Sequence, residues 1–279
     1  MFGTVQSLLS HPIAGQRPVA AVARYAAWQM RLRVQREASY GWIDGAQLLV
    51  RSRGGRATGN VYCGLQEFAD MAFVLHLLRP NDLYVEVGAA DGAYAVLAGR
   101  CCGAPVVCLE ADAGRAAQLR RHVTINEIWK RSSIHEVAAG NEVRMVARER
   151  RYDPGEVGWG LDAVERFSMV TVDALLAGRQ PALLRVGVRR TGAAVLEGAT
   201  RTLRSETLLA VQVKRPGPGL AEELRALGFT RRYYDPLERR LGPWEYGYGE
   251  SHALFVRHTG EVKRRVRAAA RRDILGVSV

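Results

Sequence analysis

The sequence contains no apolar run long enough to cross a lipid bilayer. A membrane-spanning helix needs about 20 consecutive apolar residues, and arginine interrupts every candidate stretch of this chain. The segment from Met1 to Arg17 also lacks the basic start and the apolar stretch that characterise a secretory signal. We therefore expect a protein without a membrane span that is located in the cytoplasm.

Cysteine is scarce and does not form a metal-binding pattern. The four cysteines are Cys63, Cys101, Cys102 and Cys108. None of them forms a C-x-x-C pair, and no cluster of histidines supplies the remaining ligands of a zinc site. We expect reduced, mostly buried thiols and no metal site.

Lysine is almost absent, although the chain is strongly basic. Lys130, Lys214 and Lys263 are the only lysines among 40 basic residues, and 28 acidic residues leave a net charge of +12. A basic balance can indicate nucleic acid or an anionic membrane as a partner. Because the arginines are spread along the chain without a nucleic-acid recognition motif, we interpret the charge as a solvated basic face. We do not expect nucleic acid as a partner, and the oligomeric state stays open.

The remaining composition is that of a folded α/β protein. The 279 residues are 48% hydrophobic and 24% charged, which excludes a disordered chain. From Leu83 onward, short apolar strands alternate with helices, and this order predicts a mostly parallel sheet with helices on both faces. We expect seven strands. The expected divisions are a helical and hairpin extension over 1–60, the sheet domain over 61–258 and a basic helix or tail over 259–279.

The extension is expected to begin with an amphipathic helix. Arg24, Arg31 and Arg33 are predicted to face outward. Asp44-Gly45 is typical of a hairpin turn, which is expected within Trp42–Val50. The apolar residues that recur at roughly helical spacing are Ala20, Val22, Tyr25, Ala26, Trp28 and Leu32.

A glycine-containing turn follows the first predicted strand of the sheet domain. Residues 85–94 read V-E-V-G-A-A-D-G-A-Y. Gly88 and Gly92 would let a ligand approach the main chain without a Cβ in the way, and doubly wound sheets bind small molecules at such a crossover. The G-x-x-x-G spacing is moderately specific for a ligand site, and the alternative is a tight strand-to-helix turn that binds nothing.

Two carboxylates lie at the ends of the first two predicted strands. Glu110 follows the strand V-V-C-L, 22 residues downstream of Gly88, and could accept hydrogen bonds from both hydroxyls of a ribose. Glu86 precedes Gly88 and would repel a pyrophosphate. The pair therefore favours a cationic or zwitterionic nucleoside ligand, such as S-adenosylmethionine.

These segments resemble the FkbM-type S-adenosylmethionine-dependent methyltransferases over most of the chain. Residues 85–94 resemble the cofactor loop D-V-G-A-N-x-G-x-Y of that family, and residues 107–112 resemble I-A-F-E-P-x-P. Further similar segments are 57–62, 67–73, 119–126, 137–140 and 170–176. The resemblance implies a Rossmann-like class I methyltransferase fold that binds S-adenosyl-L-methionine. The cofactor-binding residues that it implies are Glu86, Gly88, Ala89, Asp91, Gly92, Tyr94, Glu110, Ala111 and Ala138.

The fourth predicted strand and the helix after it depart from the family. Where the family has L-L-K-I-D-V-E-G-A-E-x-E-V-L-x-G-A, residues 183–199 read L-L-R-V-G-V-R-R-T-G-A-A-V-L-E-G-A. The family's carboxylates are replaced at Gly187, Arg189, Gly192 and Ala194. Guanidinium groups cannot act as bases, but Arg189 and Arg190 could bind an anionic acceptor.

No catalytic base can be assigned from the sequence. His252 precedes the last strand and is a candidate for facing the cleft, together with the substrate candidates Arg189 and Arg190. His122 lies on a helix among arginines and is interpreted as a surface side chain, and His135 is interpreted as structural.

The resemblance implies an S-adenosylmethionine-dependent methyltransferase. We expect it to methylate a hydroxyl oxygen of a small molecule or sugar, in natural-product or glycan tailoring. Because the fourth-strand acids are replaced, one alternative stays open: a catalytically degenerate protein of the same fold that acts as a binding or partner subunit.

Overall fold

The computed structural model describes residues 2–51, 57–149, 164–188, 190–244 and 252–279. Its helices are α1 (Phe2–Leu9), α2 (Pro18–Val34), α3 (Thr58–Cys63), α4 (Phe68–Leu77), α5 (Ala93–Val96), α6 (Ala113–Ile125), α7 (Val172–Leu176), α8 (Gly192–Glu197), α9 (Thr200–Arg204), α10 (Leu220–Ala226) and α11 (Thr259–Ala268). Its strands are β1 (Glu37–Gly41), β2 (Gln47–Arg51), β3 (Leu83–Val87), β4 (Val106–Leu109), β5 (Ser132–His135), β6 (Ala138–Ala139), β7 (Arg144–Glu149), β8 (Val164–Val170), β9 (Pro181–Val186), β10 (Ala210–Lys214), β11 (Thr230–Asp235), β12 (Arg240–Pro243), β13 (His252–Val256), β14 (Asp273–Ile274) and β15 (Val277–Ser278).

The centre of the molecule is an eight-stranded sheet in the order β12-β11-β13-β10-β9-β3-β4-β5. The five strands from β10 to β5 are parallel, and β13 runs antiparallel between β10 and β11. The predicted Rossmann-like α/β fold is therefore confirmed. The expected count of seven strands is wrong because β12 adds an edge strand. Its residues R-L-G-P bury only Leu241, and so they carry little strand signal.

The strand order reverses between β3 and β9. From β3 the chain proceeds outward through β4 and β5, and it then returns to place β9 on the other side of β3. The carboxyl ends of these parallel strands lie at one edge of the sheet. In open α/β sheets, ligands bind in the crevice at such a reversal, and this edge is therefore where a site is expected.

The N-terminal residues pack around a small core of their own. Helix α2 buries Ala21, Trp28 and Leu32 in it, and the β1–β2 hairpin turns at Asp44. The first hairpin strand lies earlier than predicted, at Glu37–Gly41. Val22 and Ala26, which the helical pattern placed on the buried side, are exposed. The division of the chain at residue 60 stays a prediction.

Two further elements are absent from the sequence-based description. Strands β6, β8 and β7 form a separate three-stranded sheet. Strand β7 has the charged sequence R-M-V-A-R-E, which does not resemble a buried strand, and β6 is only two residues long. The C-terminal tail is also more than a basic helix, since α11 is followed by the β14–β15 hairpin, which buries Ile274 and Val277. Among the described residues, no helix is both long enough and apolar enough to span a bilayer.

Asp173 joins α7 to the start of α9. Its Oδ1 accepts hydrogen bonds from Thr202 N at 2.8 Å and from Thr202 Oγ1 at 2.7 Å, and its Oδ2 accepts one from Arg201 N at 2.7 Å. Amide groups at the beginning of a helix lack partners within the helix. Asp173 therefore satisfies donors that would otherwise depend on solvent.

We expect Asp173→Ala to lower the free energy of unfolding by about 2 kcal/mol, because it removes the hydrogen bonds of a helix start. Urea denaturation of the variant and of the wild type measures the difference. Glu222→Ala, at an exposed position of α10, is the control. Equal midpoints for all three proteins would contradict this role of Asp173.

Candidate functional site

The predicted glycine loop leads from β3 into α5 at the reversal of strand order. Gly88 and Gly92 have φ angles of +74° and +87°, which glycine adopts without steric cost. Gly88 N and Ala89 N both donate to Leu109 O, at 2.8 and 3.3 Å. The loop is therefore held over the end of β4, next to the predicted ribose carboxylate.

The two glycines are also required by the packing of the chain itself. A Cβ at Gly88 would lie 2.8 Å from Val188 Cγ1, and a Cβ at Gly92 would lie 2.3 Å from Leu119 Cδ1. Glycine at both positions is thus explained by contacts with α6 and with the end of β9, whether or not a ligand binds. Their assignment to a cofactor stays a prediction.

Glu110 connects the ends of β3 and β4. Its Oε2 accepts a hydrogen bond from Ala90 N at 2.8 Å, and its Oε1 accepts one from Asp112 N at 3.0 Å. An ionised carboxylate has about four lone-pair positions. Glu110 therefore fixes the glycine loop and keeps acceptor capacity on each oxygen, although the residue is only 6% exposed.

The other predicted cofactor residues are spread around this loop. Ala89 is buried, Ala111 is half-buried beside Glu110, and Ala138 is half-buried in β6, paired with Met169. Asp91 Oδ2 accepts a hydrogen bond from Ala57 N at 2.9 Å.

His122 is not the surface side chain that the sequence indicated. It is fully buried, and its Nε2 accepts a hydrogen bond from Leu49 N at 2.7 Å, while its Nδ1 contacts Asp91 O. Because Nε2 is the acceptor, Nδ1 carries the proton and donates it to the loop. His122 thus ties the N-terminal hairpin to the glycine loop.

The most unusual feature of the structure is a buried arginine on β9 beneath the loop. Arg185 Nη1 donates to Glu86 Oε1 at 2.7 Å, and Arg185 Nη2 lies 3.1 Å from Glu67 Oε2 and 2.9 Å from His252 Nε2. The guanidinium carbon lies 3.6 Å from the centroid of the Tyr94 ring. We call these residues, together with Asp70 and Lys214, the Arg185 cluster.

Glu86 therefore does not point toward a ligand at the sheet edge. Its side chain is 1% exposed and is bound to Arg185, which is its register partner on β9. Its Oε2 has no hydrogen-bond partner among the described residues. Burial raises the pKa of Glu86 to about 7, although the charge of Arg185 opposes the shift.

His252 belongs to the same cluster, through a hydrogen bond to Asp70. The distance from His252 Nδ1 to Asp70 Oδ2 is 3.0 Å. Because Arg185 can only donate, His252 Nε2 must accept, and the ring proton lies on Nδ1, from which it is donated to Asp70. Burial, and then the charge of Glu67, raise the pKa of Asp70 to about 8.

Glu67, on the loop before α4, is a member of the cluster whose side chain is partly exposed to solvent. Its carboxylate accepts from Tyr94 OH at 2.7 Å and lies 3.4 Å from Lys214 Nζ. Burial would raise the pKa of Glu67, but the charge of Arg185, the hydrogen bond from Tyr94 and the charge of Lys214 lower it below its usual value. Glu67 is therefore an ionised partner of these groups rather than a proton acceptor.

Glu67, Asp70 and His252 also have the composition of a metal site, since one ligand atom from each lies within 4.8 Å of the others. A metal ion bound to His252 Nδ1 would displace the proton from that nitrogen. Because Nε2 accepts a hydrogen bond from Arg185 and carries no proton either, the ring would have to be an imidazolate anion. The positive charges of Arg185 and Lys214 would also repel a metal ion at this position. We therefore interpret these residues as a hydrogen-bonded cluster in which Arg185 and Lys214 supply the positive charge.

The substrate candidates at the end of β9 are only partly described. Arg190 is exposed, whereas Arg189 lies outside the described residues. His252, the third candidate, is buried among the groups given above. The sequence analysis did not single out Arg185, Glu67 or Asp70. One signal was available, because Arg185 interrupts the otherwise apolar strand P-A-L-L-R-V.

Comparison with known proteins identifies no family. No protein-family model matches the chain, and no curated protein matches it. Solved structures of similar fold include a putative transferase from Pyrococcus horikoshii, with 13% identity over 79% of this chain and 70% of that chain and a TM-score of 0.45. Another is an S-adenosylmethionine-dependent methyltransferase from Agrobacterium tumefaciens, with 8% identity over 79% and 69% of the two chains and a TM-score of 0.45.

A third similar structure is an rRNA methylase from Streptococcus thermophilus, with 10% identity over 67% of this chain and 91% of that chain and a TM-score of 0.39. Its presence corrects one expectation. Nucleic acid is not expected as a partner from the sequence, whereas the solved structures of similar fold include this methylase, whose name specifies rRNA. The original expectation was based on the spread of arginines along the sequence. Positions in the sequence do not show how the arginines are distributed over the folded surface.

We expect Arg185→Met to lower the free energy of unfolding by about 3–5 kcal/mol, because it leaves buried carboxylates without their guanidinium. Adding Glu86→Gln should recover part of that loss, since one of the uncompensated charges is removed. Chemical denaturation of the two single variants and the double variant measures the coupling. Strictly additive losses would contradict a direct Arg185–Glu86 interaction.

The pH dependence of stability tests the state of Asp70. Because its pKa in the folded protein is raised to about 8, the protonated group favours folding at low pH, and this contribution is lost as the pH rises toward 8. The slope is at most about 1.4 kcal/mol per pH unit. Asp70→Asn should flatten the profile between about pH 4 and 8, as measured by denaturation at several pH values. An unchanged slope in Asp70→Asn, with the exposed Glu222→Gln as control, would refute the assignment.

Proposed function

We propose that this chain is a methyltransferase of the cytoplasm that binds S-adenosylmethionine at the reversal of strand order. Bound there, the cofactor supplies an electrophilic methyl group. The site is formed by the glycine loop and by Glu110. These groups lie at the edge of the sheet where open α/β folds bind ligands.

The position of Glu110 is the observation that carries this proposal. The carboxylate lies at the end of β4, bonded to the glycine loop through Ala90 N, and it retains lone pairs on both oxygens. Two adjacent ribose hydroxyls match such an acceptor pair, and the negative charge strengthens both hydrogen bonds. The residues present therefore fit the nucleoside half of the cofactor.

The amino-acid half of the cofactor fits less well. Glu86, which the FkbM resemblance assigns to the methionine part, is turned into the Arg185 cluster and is nearly inaccessible. In our proposal Glu86 acts as a positioning residue: its bond to Arg185 holds β3 and β9 in register beneath the loop. The ammonium group would then be bound by other groups of the loop.

The acceptor we propose is a hydroxyl of a small molecule or a sugar. It would lie over the ends of β9 and β10, where Arg190 is exposed and Lys214 forms the rim of the Arg185 cluster. Removal of the hydroxyl proton needs a base. Among the described residues, Asp70 has a pKa suited to that task, but it is buried behind His252, so we assign no base.

FkbM-type methyltransferases are the family to which we assign the chain in this proposal. Support comes from the sequence of residues 85–94 and 107–112, whose loop and carboxylate are adjacent in space. The replacement of the family's acids at Gly187 and Gly192 marks this chain as a divergent member.

A second function is favoured by the same cluster. A catalytically degenerate protein of this fold would retain the glycine loop for packing and would need neither an accessible Glu86 nor a base. The bond from Arg185 to Glu86 agrees with that function. The two proposals differ in whether the isolated protein binds the cofactor.

Calorimetric titration with S-adenosylmethionine distinguishes them. We expect binding by the wild type and an affinity about tenfold to a hundredfold lower in Glu110→Gln, because hydrogen bonds to a charged group are lost. Glu136→Gln is the matched control, since Glu136 is an exposed carboxylate after β5 that pairs with Arg120. Wild-type protein that takes up no cofactor would refute the enzyme proposal. An equal affinity in Glu110→Gln would refute the role given to Glu110.

A further inference from the structure

Helix α2 has apolar residues on two opposite sides. Its inner side contributes Ala21, Trp28 and Leu32 to the N-terminal core. Its outer side carries Val19 and Val34, which are 82% and 87% exposed. Exposed apolar side chains that share one face can mark a contact surface, and so the outer side is a candidate.

The outer side is continuous over the length of the helix. Its apolar members recur every three or four residues, which places them on one face. We call this face the α2 stripe. It consists of the exposed residues Val19, Ala23, Ala26, Met30 and Val34.

The stripe lies in a segment without negative charge. No aspartate or glutamate precedes Glu37 in the sequence, whereas Arg31, Arg33 and Arg36 lie in the same segment. Arg24, also in this segment, donates to Tyr62 O and belongs to the inner side. Glu37 itself is bound by Arg51 and Arg121. In the described part of the chain, no carboxylate forms an ion pair with Arg31, Arg33 or Arg36.

These charges decide between possible occupants of the stripe. A second copy of the chain would bring two arginine-flanked, acid-free helices together, and their charges would repel each other. Nucleic acid would pair with the arginines but would leave the aliphatic side chains in water. An anionic lipid surface can interact with the apolar side chains and with the arginines. Its acyl region takes up the apolar side chains, and its headgroups attract the arginines.

We propose that the α2 stripe docks on an anionic lipid surface, with the helix lying in the plane of the headgroups. The apolar contacts are few, and attraction between arginines and headgroups therefore contributes much of the binding. Such binding is reversible and is weakened by salt. This inference does not depend on the proposed enzymatic function.

Vesicle flotation with the full chain tests the proposal. We expect the protein to float with vesicles of phosphatidylcholine and phosphatidylglycerol at low ionic strength, to be released at high ionic strength, and to stay unbound with phosphatidylcholine alone. Met30→Glu should lower the bound fraction about tenfold, because it places a negative charge in the stripe.

The matched control is Met145→Glu. Met145 on β7 is 65% exposed, close to the 61% of Met30, so that the same change is made at an exposed methionine away from the stripe. Thermal unfolding of both variants verifies that the fold is retained. Failure of the wild type to bind anionic vesicles, or an equal loss in Met145→Glu, would overturn the proposal. So would a dimer, seen by sedimentation, that Met30→Glu dissociates.

Discussion

The ion pair between Arg185 and Glu86 is the interaction on which the centre of this structure depends. Both side chains are almost completely buried, on adjacent strands that meet at the reversal of the sheet. A lone charge at that depth would cost several kcal/mol. The guanidinium lowers that cost by also contacting Glu67, His252 and the face of the Tyr94 ring. One cation thus fixes the positions of groups from the loop before α4 and from α5, β3 and β13.

This arrangement separates the two halves of the candidate site. On the β4 side, Glu110 and the glycine loop are held by backbone hydrogen bonds that leave lone pairs for a ligand. On the β9 side, the carboxylate expected to meet the ligand is bound inside the protein. A nucleoside can therefore be recognised by the features that the resemblance implies, whereas an amino-acid group has to be recognised by other features.

Much of the fold could be predicted, because local patterns determine it. Short apolar strands alternating with helices indicate a parallel sheet, and β3, β4, β9 and β10 lie close to their predicted positions. The edge strand β12 buries only Leu241, and β7 carries three charged residues among its six, so neither strand shows that pattern. The Arg185 cluster could not be predicted, because His252 and Asp70 are 182 residues apart in sequence. Only the antiparallel position of β13 beside β10 and the packing of α4 bring them together.

The central claim is that Arg185 keeps Glu86 away from the ligand while Glu110 binds it. A crystal structure of the protein with S-adenosylhomocysteine tests this claim most directly. We expect ribose hydroxyls within hydrogen-bond distance of the Glu110 carboxylate and an unbroken bond between Arg185 and Glu86. A ligand amino group that displaces Arg185 from Glu86, or a ribose that does not contact Glu110, would contradict it.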